Sequence, residues 1–173
     1  FSSAELTDTH ADEFSHAVQI GNPITEKKML AAILAARDHR DGCLYSAITD
    51  CGAGGFSSAV GEMGEQLGAD VHLDRAPTKY DGLTPTEIWI SEAQERMVLS
   101  VPADRIETLA AICDEYEVEW CDLGTFGTPD RELVLHYGGD EIGRLSMDFM
   151  HNGVPDRVRM ASWTPNAPKP AGS

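Results

Sequence analysis

The hydrophobic residues of the chain follow a helical period in several segments. After Pro23, apolar positions three and four residues apart predict a helix with Thr25 as its N-cap and Asp41-Gly42 as its end. The other predicted helices begin after Gly55, at Thr84 and at Pro102. The predicted helices are therefore spread along the chain rather than gathered in one block.

Short apolar runs between and after these helices predict strands. They cover residues 44–48, 71–73, 96–101, 118–126, 131–137 and 141–147. Gly138-Gly139, between the last two runs, is a strong signal for a β-hairpin. Helices interspersed with strands, and followed by a meander, predict an α+β fold with a mixed sheet and helices packed in layers.

A single folded unit is predicted at residues 18–163, because no linker or internal repeat interrupts this range. Residues 1–17 are polar and mixed, and we interpret them as a lead-in segment from a preceding domain. Residues 164–173 form a Pro-rich tail. The chain begins with Phe1 rather than Met, so we expect a processed product or a piece of a longer protein.

The charge of the chain narrows the range of partners. Its 173 residues include 13 Lys and Arg against 29 Asp and Glu, a formal net charge of -16. This acidity argues against binding to nucleic acid or to an anionic membrane, since phosphate backbones favour clustered cations. No apolar run reaches the length of a membrane span and no secretory signal is evident, so a cytoplasmic protein is expected. The spacing of its four cysteines fits no zinc or thioredoxin motif, so free thiols are predicted.

A glycine-rich loop between a predicted strand and a predicted helix is the most informative segment. It comprises Asp50, Cys51, Gly52, Ala53, Gly54 and Gly55. Glycines at the start of a helix let backbone N–H groups approach a phosphate or a carboxylate. A divalent cation bridging Asp50 to the phosphate would remove the repulsion between two anions, because Mg²⁺ is held by one or two carboxylates together with phosphate oxygens. The alternative is a tight turn in which Asp50 caps the helix.

A second candidate segment runs from Ser91 to Arg96. Glu92 and Gln94 are separated by one small residue and could present an acceptor and an amide to one polar ligand. The alternative is ordinary turn chemistry with Arg96 in a surface ion pair.

Gln19 is a third candidate, at the end of an extended stretch before Gly21-Asn22-Pro23. It could face a cleft, or the segment could be a structural turn. The six histidines have no metal-binding spacing and no GxSxG motif occurs, so the residues alone predict a soluble anion-binding domain.

Four motifs together resemble those of phosphoribosylformylglycinamidine synthase, a purine-biosynthesis amidotransferase. They are residues 19–27 (QIGNPITEK), 50–58 (DCGAGGFSS), 72–77 (HLDRAP) and 90–97 (ISEAQERM). The SEAQERM string is narrower than the glycine loop, which occurs across the aminoimidazole ribonucleotide synthetase superfamily. Phe1-Ser-Ser resembles the end of a GATFSS run in that family. The resemblance implies a fold like the C-terminal domain of aminoimidazole ribonucleotide synthetase, partly ferredoxin-like, in the first synthetase half.

The resemblance also implies a function and a set of site residues. The family uses ATP to phosphorylate the formyl amide oxygen of formylglycinamide ribonucleotide (FGAR), and ammonia from glutamine displaces the phosphate to give the amidine. Gln19 and the segment Glu92, Ala93 and Gln94 would contact the substrate, Asp50 would bind Mg²⁺, and Gly52 to Gly55 would lie beside ATP phosphate. The family often has Ser where this chain has Ala93, so a hydroxyl contact would be absent there.

The implied partners are the N-terminal synthetase domain of the same parent chain and a glutaminase domain or subunit. The family's catalytic His and ATP-binding Lys belong to that N-terminal domain, so we expect no catalytic residue in this chain and no activity of the isolated chain. A homodimer through the sheet is a candidate assembly. The alternatives are another superfamily member, such as aminoimidazole ribonucleotide synthetase, selenophosphate synthetase or thiamine monophosphate kinase, or a non-catalytic interaction domain.

Overall fold

The computed structural model describes residues 18–19, 22–78, 81–93, 95–155 and 158–163. Its helices are α1 Pro23–Arg37, α2 Gly55–Gly64, α3 Pro85–Ile90, α4 Ile106–Glu115 and α5 Met147–Asn152. Its strands are β1 Val18–Gln19, β2 Ala47–Asp50, β3 Ala69–His72, β4 Glu92–Ala93, β5 Met97–Ser100, β6 Gly124–Phe126, β7 Glu132–Tyr137 and β8 Asp140–Ser146. The predicted lead-in at 1–17 and tail at 164–173 lie outside the described residues.

The helix starts follow from side-chain capping. The Asn22 side chain accepts a hydrogen bond from the Ile24 N–H at 2.9 Å, and Pro23 occupies the first turn of α1. The prediction of Thr25 as the N-cap was therefore wrong by three residues. For α3 the predicted start at Thr84 was confirmed. Thr84 is the N-cap, it forms a capping box with Glu87, and Pro85 occupies the first turn.

The strand predicted at 44–48 begins later, at Ala47, and continues to Asp50. Leu44 is buried, but its N–H donates to the Ala36 carbonyl at 3.0 Å and so completes the end of α1. Leu44 therefore lies in the connection between α1 and β2, packed at the end of the helix, and not in a strand. Of the strand predicted at 118–126, only Gly124–Phe126 is regular.

The strands form a mixed sheet arrangement, as predicted. β2 pairs antiparallel with β5, and the larger sheet has the order β6-β3-β7-β8. β3 is parallel to β7 and antiparallel to β6, and the β7–β8 hairpin turns at Gly138-Gly139. The strands on either side of α2 in the chain therefore belong to different sheets. β2 pairs with β5, whereas β3 lies between β6 and β7.

The main core lies where α2 and α5 cover one face of the larger sheet. Fully or nearly fully buried members include Phe56, Val60, Val71, Leu73 and Met147. α3 packs on α2, and α1 packs on α4. This packing holds the start of α2 and the end of α3 together, where the candidate motifs meet. No helix among the described residues is long and apolar enough to cross a membrane.

Candidate functional site

The first residues of the predicted glycine loop, Asp50 to Gly52, and the 92–97 segment line the same open cleft, whereas Ala53, Gly54 and Gly55 are not among its described lining residues. The cleft has a volume of about 400 Å³. Its lining residues come from α1, the glycine loop and the 92–97 segment: Glu26, Met29, Asp50, Cys51, Gly52, Glu92, Glu95, Arg96 and Met97. Two of the motifs that are 40 residues apart in the sequence therefore contribute to one surface.

The β2–β5 ladder brings the two motifs together. Asp50 is the last residue of β2 and pairs with Met97, the first residue of β5. One residue further on, the Cys51 N–H donates to the Arg96 carbonyl at 3.0 Å. The glycine loop therefore leaves the ladder directly beside the segment that contains Glu92.

Gly55 fits the loop against the end of α3. Its φ is +55°, and a Cβ atom built on it would lie 2.2 Å from the Ser91 carbonyl oxygen. A side chain at position 55 is therefore excluded by a clash with the Ser91 backbone as well as by the left-handed backbone conformation. Because Ser91 directly precedes Glu92, this close approach positions the 92–97 segment relative to the loop.

Two backbone carbonyl groups of the loop accept hydrogen bonds from serine hydroxyls of α2. Ser57 Oγ donates to the Gly54 carbonyl at 2.6 Å, and Ser58 Oγ donates to the Ala53 carbonyl at 2.9 Å. Gly54 is the N-cap of α2, and no side chain caps this helix start. The alternative in which Asp50 caps the helix is therefore wrong. The first turn of α2 also carries no acidic residue, so its positive end is not neutralised locally.

The Asp50 carboxylate lies over the loop and is open to solvent. A Cβ built on Gly52 would lie 3.1 Å from Asp50 Oδ2, so the carboxylate occupies the space beside the glycine backbone. A hard cation such as Mg²⁺ takes oxygen ligands of this type. Among the described residues, no group of three potential ligand side chains includes Asp50. The donor set thus fits an ion that takes one protein carboxylate and completes its shell with phosphate and water oxygens.

The predicted substrate residues are brought together as far as they are described. β1 pairs parallel with β4, with Val18 opposite Glu92 and Gln19 opposite Ala93. Glu92 lines the cleft. Gln94 lies outside the described residues, as do Ile20 and Gly21 of the turn after Gln19. The two-residue ladder therefore places the backbone of Gln19 beside that of the 92–93 segment.

The cleft is strongly acidic. Its described lining contains the carboxylates of Glu26, Asp50, Glu92 and Glu95, and one cation, Arg96. The Arg96 guanidinium lies 4.6 Å from the centre of the Phe56 ring and donates to the Pro77 carbonyl at 3.1 Å. Burial lowers its pKa. The alternative of a surface ion pair for Arg96 is therefore wrong, since the guanidinium of this half-buried side chain contacts an aromatic ring and a backbone carbonyl.

Sequence reasoning missed two acidic lining residues, Glu26 and Glu95. Glu95 adopts a left-handed backbone with φ of 57°, which is rare for a residue with a side chain. It belongs to the quoted SEAQERM string, so the motif contained a signal for it. Glu26 lies in the first turn of α1, where an acidic residue is common, and its position in the cleft depends on how α1 packs.

The cysteines are free thiols, as predicted. Cys51 and Cys113 are buried, and Cys43 and Cys121 are half-buried. Burial raises the pKa of Cys51 to about 11, with the nearby Arg96 acting in the opposite direction. Cys51 is therefore a packed, protonated thiol at neutral pH rather than a nucleophile.

Comparison with known proteins gives a consistent family. The family described as "AIR synthase related protein, C-terminal domain" matches residues 1–136. The phosphoribosylformylglycinamidine synthase subunit PurL of Pyrococcus abyssi is 37% identical over 158 residues, which are 88% of this chain and 21% of that protein. The chain thus spans about a fifth of the length of the curated relatives it matches.

Solved structures agree with the sequence relatives. T. maritima PurL complexed with FGAR has a TM-score of 0.73 and 28% identity, covering 87% of this chain and 24% of that one. T. maritima PurL complexed with ATP has a TM-score of 0.71 and 28% identity, covering 86% and 25%. The predicted α+β fold and the resemblance to phosphoribosylformylglycinamidine synthase are confirmed. This chain belongs to the AIR synthase related protein family and corresponds to its C-terminal domain.

Proposed function

We propose that this chain is the part of a phosphoribosylformylglycinamidine synthase that contacts FGAR and Mg-ATP. The reaction is the ATP- and glutamine-dependent conversion of FGAR to the amidine, a ligation of purine biosynthesis. The main support is one observation: Asp50 and Gly52, from the loop predicted to bind Mg²⁺ and phosphate, line a single cleft with Glu92, a predicted substrate residue. Relatives that share a third of the sequence are named as this synthase, and neighbouring structures hold FGAR and ATP.

In this proposal the loop receives phosphate. No side chain caps the start of α2, and the positive end of a helix favours an anion. Asp50 would hold Mg²⁺ at the same place, and the bound ion would neutralise charge on the phosphate oxygens. The acidity of the cleft supports this role, because carboxylates around the site would otherwise repel a nucleotide.

The 92–94 segment and Gln19 would hold FGAR. The Glu92 carboxylate can accept hydrogen bonds from ligand hydroxyl or N–H groups, and the amides of Gln19 and Gln94 can both donate and accept. Ala93 would contribute backbone only. The contact between Gly55 and Ser91 sets the distance between this segment and the phosphate loop. These residues thus orient two reactants, which is where a ligase gains much of its rate.

The remaining chemistry would come from outside this chain. The proposal places the catalytic groups in an N-terminal synthetase domain of the parent protein and the ammonia source in a glutaminase partner. In this proposal, residues 18–163 form one domain that works together with these two parts. The isolated chain would therefore make no amidine. The observation behind this division is that the chain covers only about a fifth of its relatives.

The test is Asp50→Asn in the full-length enzyme that contains this chain. We expect turnover at fixed Mg-ATP to fall at least about tenfold, because a metal ligand is lost. We expect the free energy of unfolding to change by less than about 0.5 kcal/mol, because Asp50 is exposed. The matched control is Asp81→Asn, an exposed residue outside the cleft. Normal Mg-ATP kinetics in the Asp50 variant would reject the metal role.

A further inference from the structure

Three potential metal ligands meet on the larger sheet, away from the cleft. Asp70 and His72 lie on β3, and His136 lies on β7. We propose that they form a binding site for a divalent transition-metal ion of the Zn²⁺ type. None of the three is among the described residues that line the Asp50 cleft, so the proposal is independent of the function proposed above.

The backbone places the three side chains on one face. His72 and His136 are register partners in the parallel β3–β7 ladder. Asp70 precedes His72 by two residues, and residues two apart in a strand point to the same face. The β7–β8 pairing has a register shift between Leu135 and His136. Irregularities of this kind redirect a side chain next to functional sites.

The distances suit one shared ion. Nε2 of His72 lies 3.3 Å from Asp70 Oδ1, and Nε2 of His136 lies 3.2 Å from Asp70 Oδ2. With metal bonds of about 2.0–2.2 Å, two ligand atoms of a tetrahedral Zn²⁺ are about 3.3 Å apart. The candidate ligand atoms all lie within 4.8 Å of one another. The two imidazole rings are stacked, with centroids 4.7 Å apart and planes 17° apart. Because a metal–nitrogen bond lies in the plane of the imidazole ring, binding one ion requires the two rings to turn out of this stacked arrangement.

The donor set selects the kind of ion. Two imidazoles and one carboxylate suit zinc and similar transition metals, whereas Mg²⁺ and Ca²⁺ prefer oxygen alone. The side chains of Asp70, His72 and His136 are 36%, 32% and 21% exposed, so an ion can enter from solvent and keep a water ligand. Without an ion, His136 Nε2 lies at hydrogen-bond distance from Asp70 Oδ2, 3.2 Å away. A ring whose Nε2 donates to this carboxylate must move that proton to Nδ1 before Nε2 can bind the ion.

The experiment is a Zn²⁺ titration of the chain with two readouts. Calorimetry gives the stoichiometry and the dissociation constant. Imidazole ¹⁵N NMR identifies the ligands, which is necessary because the four free thiols can also bind Zn²⁺. The variants are His136→Ala and His72→Ala. The matched control is His39→Ala, whose ring lies 3.7 Å from one carboxylate, that of Asp41.

We expect one bound ion and ¹⁵N shifts confined to His72 and His136. His136→Ala and His72→Ala should each raise the dissociation constant for Zn²⁺ at least about tenfold, which is the lower end of the range for changes at a metal site. The control, His39→Ala, should bind Zn²⁺ as tightly as the wild type. Circular dichroism checks that the variants are folded. The proposal is overturned if the folded chain binds no Zn²⁺ at these rings, or if His136→Ala and His72→Ala bind as tightly as the control. Either outcome leaves the Asp50 test unaffected.

Discussion

Replacing Gly55 by alanine would place a methyl group against the backbone of Ser91. The new Cβ would lie 2.2 Å from the Ser91 carbonyl oxygen and 2.8 Å from the carbonyl carbon, whereas ordinary contacts begin near 3.4 Å. Both groups are backbone, so no side-chain rotation relieves the overlap. The glycine loop and the end of α3 would have to separate by about 1 Å.

The expected cost has two parts. A left-handed conformation costs a residue with a side chain about 1–2 kcal/mol, and overpacking a closely fitted interior costs about 1–3 kcal/mol. Together they destabilise the fold by about 2–5 kcal/mol, a large share of the roughly 5–15 kcal/mol that stabilises a typical domain. The displaced segment contains Glu92, so the cleft would also widen.

Urea unfolding followed by circular dichroism measures this cost. The matched control is Gly138→Ala, because Gly138 has nearly the same φ, +61° against +55°, with no atom within 4 Å of its added Cβ. The control carries only the conformational cost, and the difference between the variants isolates the contact with Ser91. Equal losses in both variants would refute the reasoning that the loop and α3 are held at contact distance.

Two further predictions concern the buried thiol of Cys51 and the N-cap of α3. Because the folded pKa of Cys51 is raised to about 11 from about 9, its stabilising contribution is complete below pH 9 and is lost as pH rises towards 11. Unfolding free energies measured across this range should fall by about 2–3 kcal/mol more in the wild type than in Cys51→Ala, and equal slopes would contradict the assignment. Thr84→Ala should cost about 1 kcal/mol in urea unfolding, because it removes the cap of α3. The control is Thr86→Ala, which removes an exposed threonine two residues further along the chain. A similar loss of unfolding free energy in the control would show that the cap does not stabilise the fold.

The elements near strong local signals were predictable. The cap and proline at Thr84-Pro85 and the glycine pair at 138–139 act through neighbours in the chain, so their structures follow from local sequence. The glycine loop between a strand and a helix was placed correctly for the same reason. Its membership of a cleft with Glu92 could be anticipated only through the family resemblance.

Predictions failed where a residue could lie in more than one kind of environment. Leu44 is buried at the end of a helix rather than in a strand, and periodicity does not distinguish these positions. For Arg96 the alternative was a surface ion pair, but its guanidinium contacts the Phe56 ring and the Pro77 carbonyl, which belong to distant segments of the chain. Both outcomes depend on contacts that are not encoded within a short window of sequence.

The sequence by itself determined the acidic charge, the order of most elements and the motifs that identify the family. These depend on residue type and on spacing over a few positions. Only the tertiary structure decided that β3 lies between β6 and β7, and thus that His136 faces Asp70 and His72 across 64 to 66 residues of chain. Strand pairing is non-local, and many registers satisfy the same alternation of apolar and polar residues until the whole sheet is packed.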